Sequence, residues 1–365
     1  MKNVPIRILS PQFEPLGEID NYESLQFIRR FFKVGEFELH ININKKYTNK
    51  LQENNLIMLG NAVNKVGIIM HRENGFDENG EETDQLIVKG PTLNGITQRR
   101  LTMPDTTGYD RINDNAETIM KHYVNNNIVN PVDPARKISN VSISTDIKRG
   151  IQVPWQTRFE VLSDVLNQIG EWCNLGWDVI LDITNQKWVF DVYEGRNLTS
   201  GQSILPPVTF STDFENVKSQ HFIDSALNYK NVAYAGGQGE EEERLILQVG
   251  EISGFDRIET FIDCSQAADS IELTTQGQQK LDELKKIKSF EVKILPEGSF
   301  IYEKDYDLGD IVTAQSLKWG ITMDARIIEL KEIYEVDGFN LDATFGTNIP
   351  NLYTIIKKNI KQLVR

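Results

Sequence analysis

Alternating apolar and polar residues dominate the first hundred residues of the chain. Residues 36–44 read EFELHININ, in which every second residue is apolar. A two-residue period puts these apolar side chains on one face of a β-strand. They are Phe37, Leu39, Ile41 and Ile43. Residues 25–34 run up to Gly35, and the Val34-Gly35 pair indicates a tight hairpin turn before the strand. We therefore predict that residues 1–105 form a β domain.

The spacing changes between residues 106 and 205. Two segments carry apolar residues three and four positions apart, which is typical of amphipathic helices. The predicted inward-facing residues are Ile119, Met120, Tyr123 and Val124 in the first helix and Phe159, Leu162, Val165, Leu166 and Ile169 in the second. Two residue pairs resemble capping boxes at the helix starts, Asp114 with Glu117 and Thr157 with Glu160. A hairpin follows at about 177–195, so this region is predicted to be an α+β domain.

β patterns return in residues 206–350, which we predict to be a second β domain. A helical segment is inserted at about 255–290, although Gly277 disfavours helix there. The last hairpin is predicted to turn at Asp337-Gly338. Residues 351–365 are predicted to form a C-terminal helix, whose basic residues suit the negative end of the helix dipole. These are Lys357, Lys358, Lys361 and Arg365.

The net charge of the chain limits the classes of partner that it is expected to bind. Of the 365 residues, 53 are acidic and 39 are basic, which gives a net charge of −14. Nucleic acid and anionic lipid are bound by basic surfaces, so neither is an expected partner. The N-terminus lacks the apolar run of a signal peptide, and no stretch reaches the roughly 18 apolar residues of a spanning helix. We expect a protein made in the cytoplasm, with no specific nucleic-acid binding and no membrane anchor.

The segment 302–315, YEKDYDLGDIVTAQ, offers the strongest candidate for a chemical site. Its carboxylates are Asp305, Asp307 and Asp310. A calcium loop counted from Asp305 has Gly309 at position five and Ser316 at position twelve, so its glycine is displaced and its closing glutamate is missing. A catalytic carboxylate pair is a second interpretation, but no companion histidine or nucleophile is near. The third interpretation is structural: a turn glycine and an aspartate open a β-strand.

Other motifs for catalysis or metal binding are absent. The sequence contains no G-x-S-x-G, H-E-x-x-H or P-loop motif. Its four histidines are scattered on dissimilar elements and are interpreted as surface or satisfied residues: His40, His71, His122 and His221. Cys173 and Cys264 lack a C-x-x-C motif and are interpreted as small buried residues, not zinc ligands. We therefore predict no catalytic, cofactor-binding or metal-binding residues and no cofactor.

The tryptophans of the middle region leave two alternatives. Trp155, Trp172, Trp177 and Trp188 adjoin apolar periodic runs, which favours a core cluster. A sugar-stacking platform is the alternative, and exposed tryptophans would indicate it.

Two stretches resemble the siphovirus tail hub family, found in phages and prophages of Gram-positive bacteria. Residues 15–41 are similar to the opening hairpin of these proteins, and residues 302–346 to their closing barrel. The segment Y-x-x-D-Y-x-L-G-D-x-V within 302–312 is the most specific match. The resemblance covers nearly the whole chain in the order β, α+β, β, helix, β. It implies that 302–315 is a strand with the turn before it, and not an active site.

The resemblance also implies an architecture and a role. The fold would be α+β and multi-domain, with two β-barrel-like domains, an inserted α+β module and a C-terminal helix. Three copies would form a ring, and their six barrels would face a hexameric tail tube. The implied partners are the distal tail protein or tail tube, the tape measure protein and tail-tip or host-recognition proteins. The protein would be a non-enzymatic part of the virion tail tip or baseplate, with an acidic channel wall that repels passing DNA. The alternative is a cell-wall-binding or peptidoglycan-degrading tail-tip protein.

Overall fold

The structure, a computed structural model, describes residues 4–75, 83–104, 108–267, 269–295 and 297–346. Within them the chain forms two compact units. The first contains residues 4–220 and 292–344, and the second contains residues 221–291 with 345 and 346. Strands make up most of the regular structure of the described residues, and helices are few. The helix predicted for 351–365, with its basic residues, lies outside the described residues.

Eight strands form the N-terminal part of the first unit. They are β1 (Ile6–Leu9), β2 (Pro15–Ile19), β3 (Ser24–Arg30), β4 (Glu36–Asn42), β5 (Leu56–Leu59), β6 (Val66–Ile68), β7 (His71–Glu73) and β8 (Gln85–Pro91). One sheet has the order β2-β1-β5-β6, and a second contains β3-β4-β8-β7. Strand β4 buries Phe37, Leu39 and Ile41 on one face, which confirms the alternation predicted for this segment.

The connection between β3 and β4 is longer than the predicted tight turn. It spans residues 31–35, because Phe31 and Phe32 turn into the protein and are buried. Gly35 N donates a hydrogen bond to Thr92 Oγ1 at 2.8 Å. A Cβ atom at Gly35 would lie 2.1 Å from the Ile28 carbonyl oxygen, so no larger residue fits. The predicted two-residue turn is therefore wrong, although the hairpin itself is confirmed.

The middle of the first unit mixes strands and helices. Its elements are β9 (Asp110–Asn115), α1 (Ala116–Val124), β10 (Val141–Ile143), β11 (Gln152–Thr157), α2 (Leu162–Cys173), β12 (Gly176–Asp182) and β13 (Lys187–Tyr193). The strands pair as β11-β9 and β10-β13-β12. Both helices bury the faces predicted for them, at Ile119, Met120, Tyr123, Val124, Leu162, Val165, Leu166 and Ile169. Phe159 is an exception: it is 50% exposed and has a left-handed backbone with φ of 54°.

Neither predicted capping box forms. Asp114 belongs to β9 and its Oδ1 accepts from Asn115 N at 2.8 Å, while α1 begins without a side-chain cap. Thr157 Oγ1 donates to Glu160 Oε1 at 3.2 Å, but α2 begins later, after Val161. The four-residue pattern therefore did not locate the start of either helix, because Asp114 and the pair Thr157–Glu160 make other local contacts.

The second unit is a small sheet with one helix. The chain passes through β14 (Asn197–Leu198) and β15 (Thr209–Ser211) of the first unit and crosses into the second along β16 (Val217–Ser225). There follow β17 (Val232–Gly236), β18 (Ile246–Val249), β19 (Glu259–Asp263) and α3 (Ser270–Asp282). Strand β20 (Ile287–Ile294) leads back to the first unit. Within the second unit the sheet order is β18-β17-β19.

Helix α3 lies close against this sheet at its glycine. A Cβ atom at Gly277 would be 2.9 Å from Ala235 Cβ and 3.1 Å from Val249 Cγ2. Leu273 and Leu281 are buried on the same side. The glycine that disfavours a helix in isolation is therefore explained by packing, because it allows a close approach to β17.

The last strands of the first unit are β21 (Ile311–Ser316), β22 (Ile321–Glu335) and β23 (Gly338–Gly346). Strand β21 is antiparallel to β22 and parallel to β14 and β15. Strands β22 and β23 are neighbours in the sheet and are joined by Val336 and Asp337, which confirms the predicted hairpin with its turn one residue earlier than predicted. Strand β22 also pairs with β3, with Glu329 opposite Arg30 and Glu335 opposite Ser24.

Early and late strands of the first unit thus share a sheet in the order β23-β22-β3-β4-β8-β7. The sheets formed by the described residues are open, and the prediction of two barrel-like domains is not confirmed. The domain limits at residues 105, 205 and 350 stay predictions. Shorter helical turns occur at Thr48–Lys50, Leu93–Arg99, Asn125–Val129, Pro134–Arg136, Thr212–Phe214, Glu241–Glu243 and Gly254–Asp256. In the described part of the chain, no helix has the length and apolar character needed to cross a membrane.

Candidate functional site

The aspartates of the segment 302–315 lie in the turn that precedes β21. Asp305 Oδ2 accepts a hydrogen bond from Ile301 N at 2.7 Å. Asp310 Oδ2 accepts one from Asp307 N at 2.8 Å. These two carboxylates therefore close parts of their own turn, and Asp310 directly precedes β21, as the structural interpretation predicts.

Asp310 also binds a distant segment of the chain. Arg196 Nη2 donates to Asp310 Oδ2 at 2.6 Å, and Arg196 N donates to Oδ1 at 2.8 Å. The Asp310 side chain is only 4% exposed. Arg196 precedes β14, which pairs in parallel with β21. The ion pair therefore fixes the beginnings of two neighbouring strands, with the strong geometry of a charge-assisted bond.

Asp307 lies at the edge of a buried group of polar side chains. Arg29 Nη2, on β3, donates to Asp307 Oδ1 at 2.5 Å and to Tyr302 Oη at 2.7 Å. Tyr302 Oη in turn donates to Glu332 Oε1 on β22 at 2.5 Å. Arg29 and Glu332 are almost completely buried. The group thus connects two paired strands with the turn before β21.

Lys65 supplies the second cation of this group. Its Nζ lies 2.8 Å from both Glu303 Oε1 and Glu332 Oε1. Tyr334 Oη donates to the other oxygen of Glu332 at 2.6 Å. A buried carboxylate with these partners is compensated in charge and in hydrogen bonds. We call the following residues the junction cluster: Arg29, Lys65, Tyr302, Asp307 and Glu332.

The chemistry of the junction cluster is that of a structural network. Burial raises the pKa of Tyr302 well above its usual value, so the phenol keeps its proton and donates it to Glu332. Cations and carboxylates contact one another directly. Among the described residues, no group of three or more His, Cys, Asp or Glu side chains is placed to hold a metal ion.

Near this cluster, Asp178 on β12 has a carboxyl group whose pKa is strongly raised. Burial raises its pKa to about 7, although the nearby Arg29 and a hydrogen bond from Val179 N both favour the ionised form. The Val179 N to Asp178 Oδ1 distance is 2.7 Å. Desolvation therefore outweighs the favourable contacts, and Asp178 changes charge near neutral pH.

A second buried ionic group lies at the start of α1. Glu117 is completely buried, and its Oε1 accepts from Lys121 Nζ at 2.6 Å and from Arg149 Nη1 at 3.0 Å. Its Oε2 accepts from Arg149 N at 2.8 Å. The residue expected in a capping box is thus the buried anion that joins α1 to the segment before β11.

The structure keeps the four histidines apart. Each lies beside one carboxylate: His40 near Glu38, His71 near Glu73, His122 near Asp110 and His221 near Glu291. They occupy different elements, as the interpretation of scattered residues expected.

The cysteines and the middle tryptophans also follow the packing interpretation. Both cysteines are free, and burial raises the pKa of the Cys173 thiol to about 12 and that of Cys264 above its usual value. Trp155, Trp177 and Trp188 are buried in the core of the middle region, and Trp172 packs against it. The alternative of an exposed tryptophan platform is therefore wrong.

Sequence reasoning missed the cations of the junction cluster, although one signal was present. Leu25, Phe27 and Arg29 occupy every second position of β3, so Arg29 shares the buried face. Likewise Leu330, Glu332 and Tyr334 follow one another on one face of β22. A charged residue in an apolar alternation is the pattern that predicts a buried ionic network. Lys65 has no such signal.

The comparisons with known proteins agree with this fold. Residues 5–347 match the family model described as Siphovirus ReqiPepy6 Gp37-like protein. No curated protein sequence matches the chain.

Three solved structures of tail proteins are similar to the chain, each with 12% sequence identity. The 43 kDa tail protein of prophage MuSo2 from Shewanella oneidensis has a TM-score of 0.60, with 93% of this chain and 98% of that chain covered. The tail protein from Neisseria meningitidis MC58 has a TM-score of 0.57, with coverages of 95% and 97%. The prophage tail protein gp18 from Listeria monocytogenes EGD-e has a TM-score of 0.55, with both chains covered completely at 100%. These likenesses show a shared fold. Together with the match over residues 5–347, they show that the chain belongs to the siphovirus tail protein family described as Siphovirus ReqiPepy6 Gp37-like protein.

Proposed function

We propose that this protein is a structural component of a phage tail hub. Three copies form a ring that joins the hexameric tail tube to the tail tip and leaves a channel for DNA. The observation that carries the proposal is the family match over residues 5–347. The fold shared with prophage tail proteins supports it.

The junction cluster suits a rigid scaffold. Arg29 and Glu332 lie on the paired strands β3 and β22, and Asp307 lies in the turn before β21. Buried ion pairs of this kind restrict the arrangements that neighbouring strands can adopt, since any shift leaves a charge without its partner. The proposed role requires such a rigid frame and no catalytic group, so we propose that the protein is not an enzyme.

The proposed partners follow from the position of a hub. One ring face binds the distal tail protein or tail tube, and the tape measure protein ends nearby. The other face binds tail-tip or host-recognition proteins. The place of the protein is then the tail tip or baseplate of the virion.

The net charge of −14 suits a channel for DNA. A wall with more carboxylates than cations repels the phosphate backbone, so DNA slides past without binding.

The ring is tested by the mass of the full chain in solution. Sedimentation equilibrium at several protein concentrations is expected to give three times the mass of one chain. Electron microscopy of the same sample is expected to show threefold particles with a central channel. A monomer at every concentration would contradict the proposed ring.

A further inference from the structure

Four neighbouring arginines of the first unit make no salt bridge with a carboxylate of the described residues. We call Arg99, Arg100, Arg136 and Arg158 the arginine patch. Their guanidinium groups bind uncharged acceptors or rings instead. Arg99 Nη2 donates to Asn54 Oδ1 at 2.7 Å, Arg136 Nη2 donates to the Leu101 carbonyl oxygen at 2.5 Å, and Arg158 lies 4.9 Å from the Phe159 ring centre. In a chain with 53 acidic and 39 basic residues, such a group of unpaired cations is unusual.

The members of the arginine patch lie on adjoining segments. Arg100 Nε donates to the Arg136 carbonyl oxygen at 2.7 Å. Leu162 N donates to the Arg100 carbonyl oxygen at 2.9 Å, and Phe159 N donates to the Thr102 carbonyl oxygen at 2.8 Å. The segment 100–103 therefore runs beside 159–162, next to Arg158.

Apolar side chains lie between these cations. Leu101 is 43% exposed, Met103 is 37% exposed and Phe159 is 50% exposed. Phe159 keeps this position at the cost of a left-handed backbone, with φ of 54°. Exposed apolar groups beside unpaired arginines are typical of protein interfaces, where Arg, Met and aromatic residues are enriched.

The electrostatics of the patch favour an anionic occupant. Burial and the adjacent Arg100 lower the pKa of Arg136, and the opposing effect of Asp133 is smaller. Two guanidinium groups that repel each other are stabilised when a carboxylate binds both, and arginine forms paired hydrogen bonds with carboxylates.

The chain itself presents a segment of the matching chemistry in its second unit. Residues 240–243 are four consecutive glutamates between β17 and β18, and all four are exposed. None of these side chains has a cationic partner among the described residues. Leu245 and Ile246 follow directly and are 46% and 44% exposed. We call residues 240–243 the glutamate tip.

We propose that the arginine patch of one copy binds the glutamate tip of the next copy, with Leu101, Met103 and Phe159 against Leu245 and Ile246. This inference rests on the proposed ring, for which it names the contacting surfaces. Two different surfaces in contact make a heterologous interface, and such interfaces close into rings when the rotation per subunit allows it. The exposed Leu101 and Met103 beside the patch and the net charge of −14 make nucleic acid the weaker candidate.

The test reverses charges in the full chain and measures mass by sedimentation equilibrium. Arg99→Glu with Arg158→Glu changes two exposed arginines of the patch. Glu241→Lys with Glu242→Lys changes the tip. We expect the protein concentration below which the trimer dissociates to be at least tenfold higher for each double variant than for the unaltered chain. Combining all four substitutions is expected to restore the trimer, because the charges again match.

The matched control is Lys45→Glu with Lys46→Glu, two exposed lysines outside the patch that give the same change in net charge. This control is expected to remain trimeric. Circular dichroism and melting curves verify that each variant folds.

The outcomes separate this inference from the ring itself. An unaltered chain that is monomeric would overturn both. If both double variants remain trimeric, only the proposed contact is overturned. The same conclusion follows if the double variants dissociate and the quadruple variant does not regain the trimer. Gel shifts with duplex DNA cover the remaining case: DNA binding that only the arginine variant abolishes, in an intact trimer, would assign the patch to nucleic acid.

Discussion

Arg29 Nη2 donates a hydrogen bond to Asp307 Oδ1 at 2.5 Å across a sequence separation of 278 residues. Arg29 is 7% exposed and Asp307 is 34% exposed, so the pair is largely shielded from water. It ties strand β3 to the turn before β21, beside the pairing of β3 with β22. One of the three aspartates considered as calcium ligands thus links an early and a late part of the chain.

Removal of this carboxylate leaves a buried cation with reduced compensation. We expect Asp307→Ala to lower the free energy of unfolding by about 2 kcal/mol, less than for a fully buried pair because Asp307 is one-third exposed. Urea denaturation measures the change. The control is Glu18→Ala, which breaks the exposed Arg7–Glu18 pair and is expected to cost about 0.5 kcal/mol. Equal effects of the two variants would contradict the assigned role.

The turn glycine of the same segment has no room for a side chain. Gly309 has φ of 90°, and a Cβ atom there would lie 2.4 Å from Phe31 Cε2. We expect Gly309→Ala to destabilise the protein by more than about 1 kcal/mol, because both the backbone and the contact become strained. Gly201→Ala is the matched control, since no atom lies within 4 Å of its added Cβ. The melting temperatures of the two variants measure this difference in stability.

Asp178 gives the protein a pH dependence opposite in sign to that of most carboxyl groups. Its folded pKa of about 7 lies above the unfolded value of about 3.9, so between these values the folded state binds more protons. Stability from this group is therefore full at low pH and falls as the pH rises through 7. Between pH 5 and pH 8, Asp178 is expected to lower the free energy of unfolding by about 2 kcal/mol. Asparagine has the same shape and no charge, so we expect this decrease to be absent in Asp178→Asn.

The control for that measurement is Asp182→Asn on the same strand. Hydrogen bonds from the Asn185 side chain and backbone lower the pKa of Asp182, so it stays ionised throughout this pH range. Its substitution is expected to leave the slope of stability against pH between 5 and 8 unchanged. An unaltered slope in Asp178→Asn would contradict the raised pKa.

Calcium is expected to leave the melting temperature unchanged. A ligand that binds only the folded state must raise it, but Asp305, Asp307 and Asp310 already accept hydrogen bonds from the chain. Differential scanning calorimetry with and without calcium provides the measurement. An upward shift that Asp305→Asn abolishes would instead assign a calcium site to this turn.

Duplex DNA is not expected to bind the isolated protein at moderate salt. The reason is the net charge of −14 together with the proposed acidic channel wall. Gel shifts at two salt concentrations, with and without residues 351–365, measure this. Salt-sensitive binding that persists without those residues would contradict an acidic channel.

Local patterns in the sequence predicted what depends on near neighbours. The alternation at 36–44 predicted the buried face of β4, and the helical spacing predicted most buried residues of α1 and α2. The hairpin before Gly338 followed from its turn residues. In each case the information lies within one element and its period.

Contacts between distant segments were beyond this reasoning. Glu117 fits the local pattern of a capping box, yet its partner Arg149 lies 32 residues away and draws it into the interior. Phe31 and Phe32 lengthen a turn because they are buried, which only the folded neighbours determine. The pairing of β3 with β22 likewise joins two segments whose local sequence patterns do not indicate which strand each one pairs with.

The pairing of β3 with β22 has a consequence for synthesis on the ribosome. Arg30 and its partner Glu329 are 299 residues apart. At roughly 5–20 residues per second, the ribosome adds the intervening chain in about 15–60 s. During that time one edge of β3 has no neighbour, and an unpaired edge is a template for association with other chains. The nascent protein therefore passes through a long interval in which chaperones that shield strand edges would raise its yield.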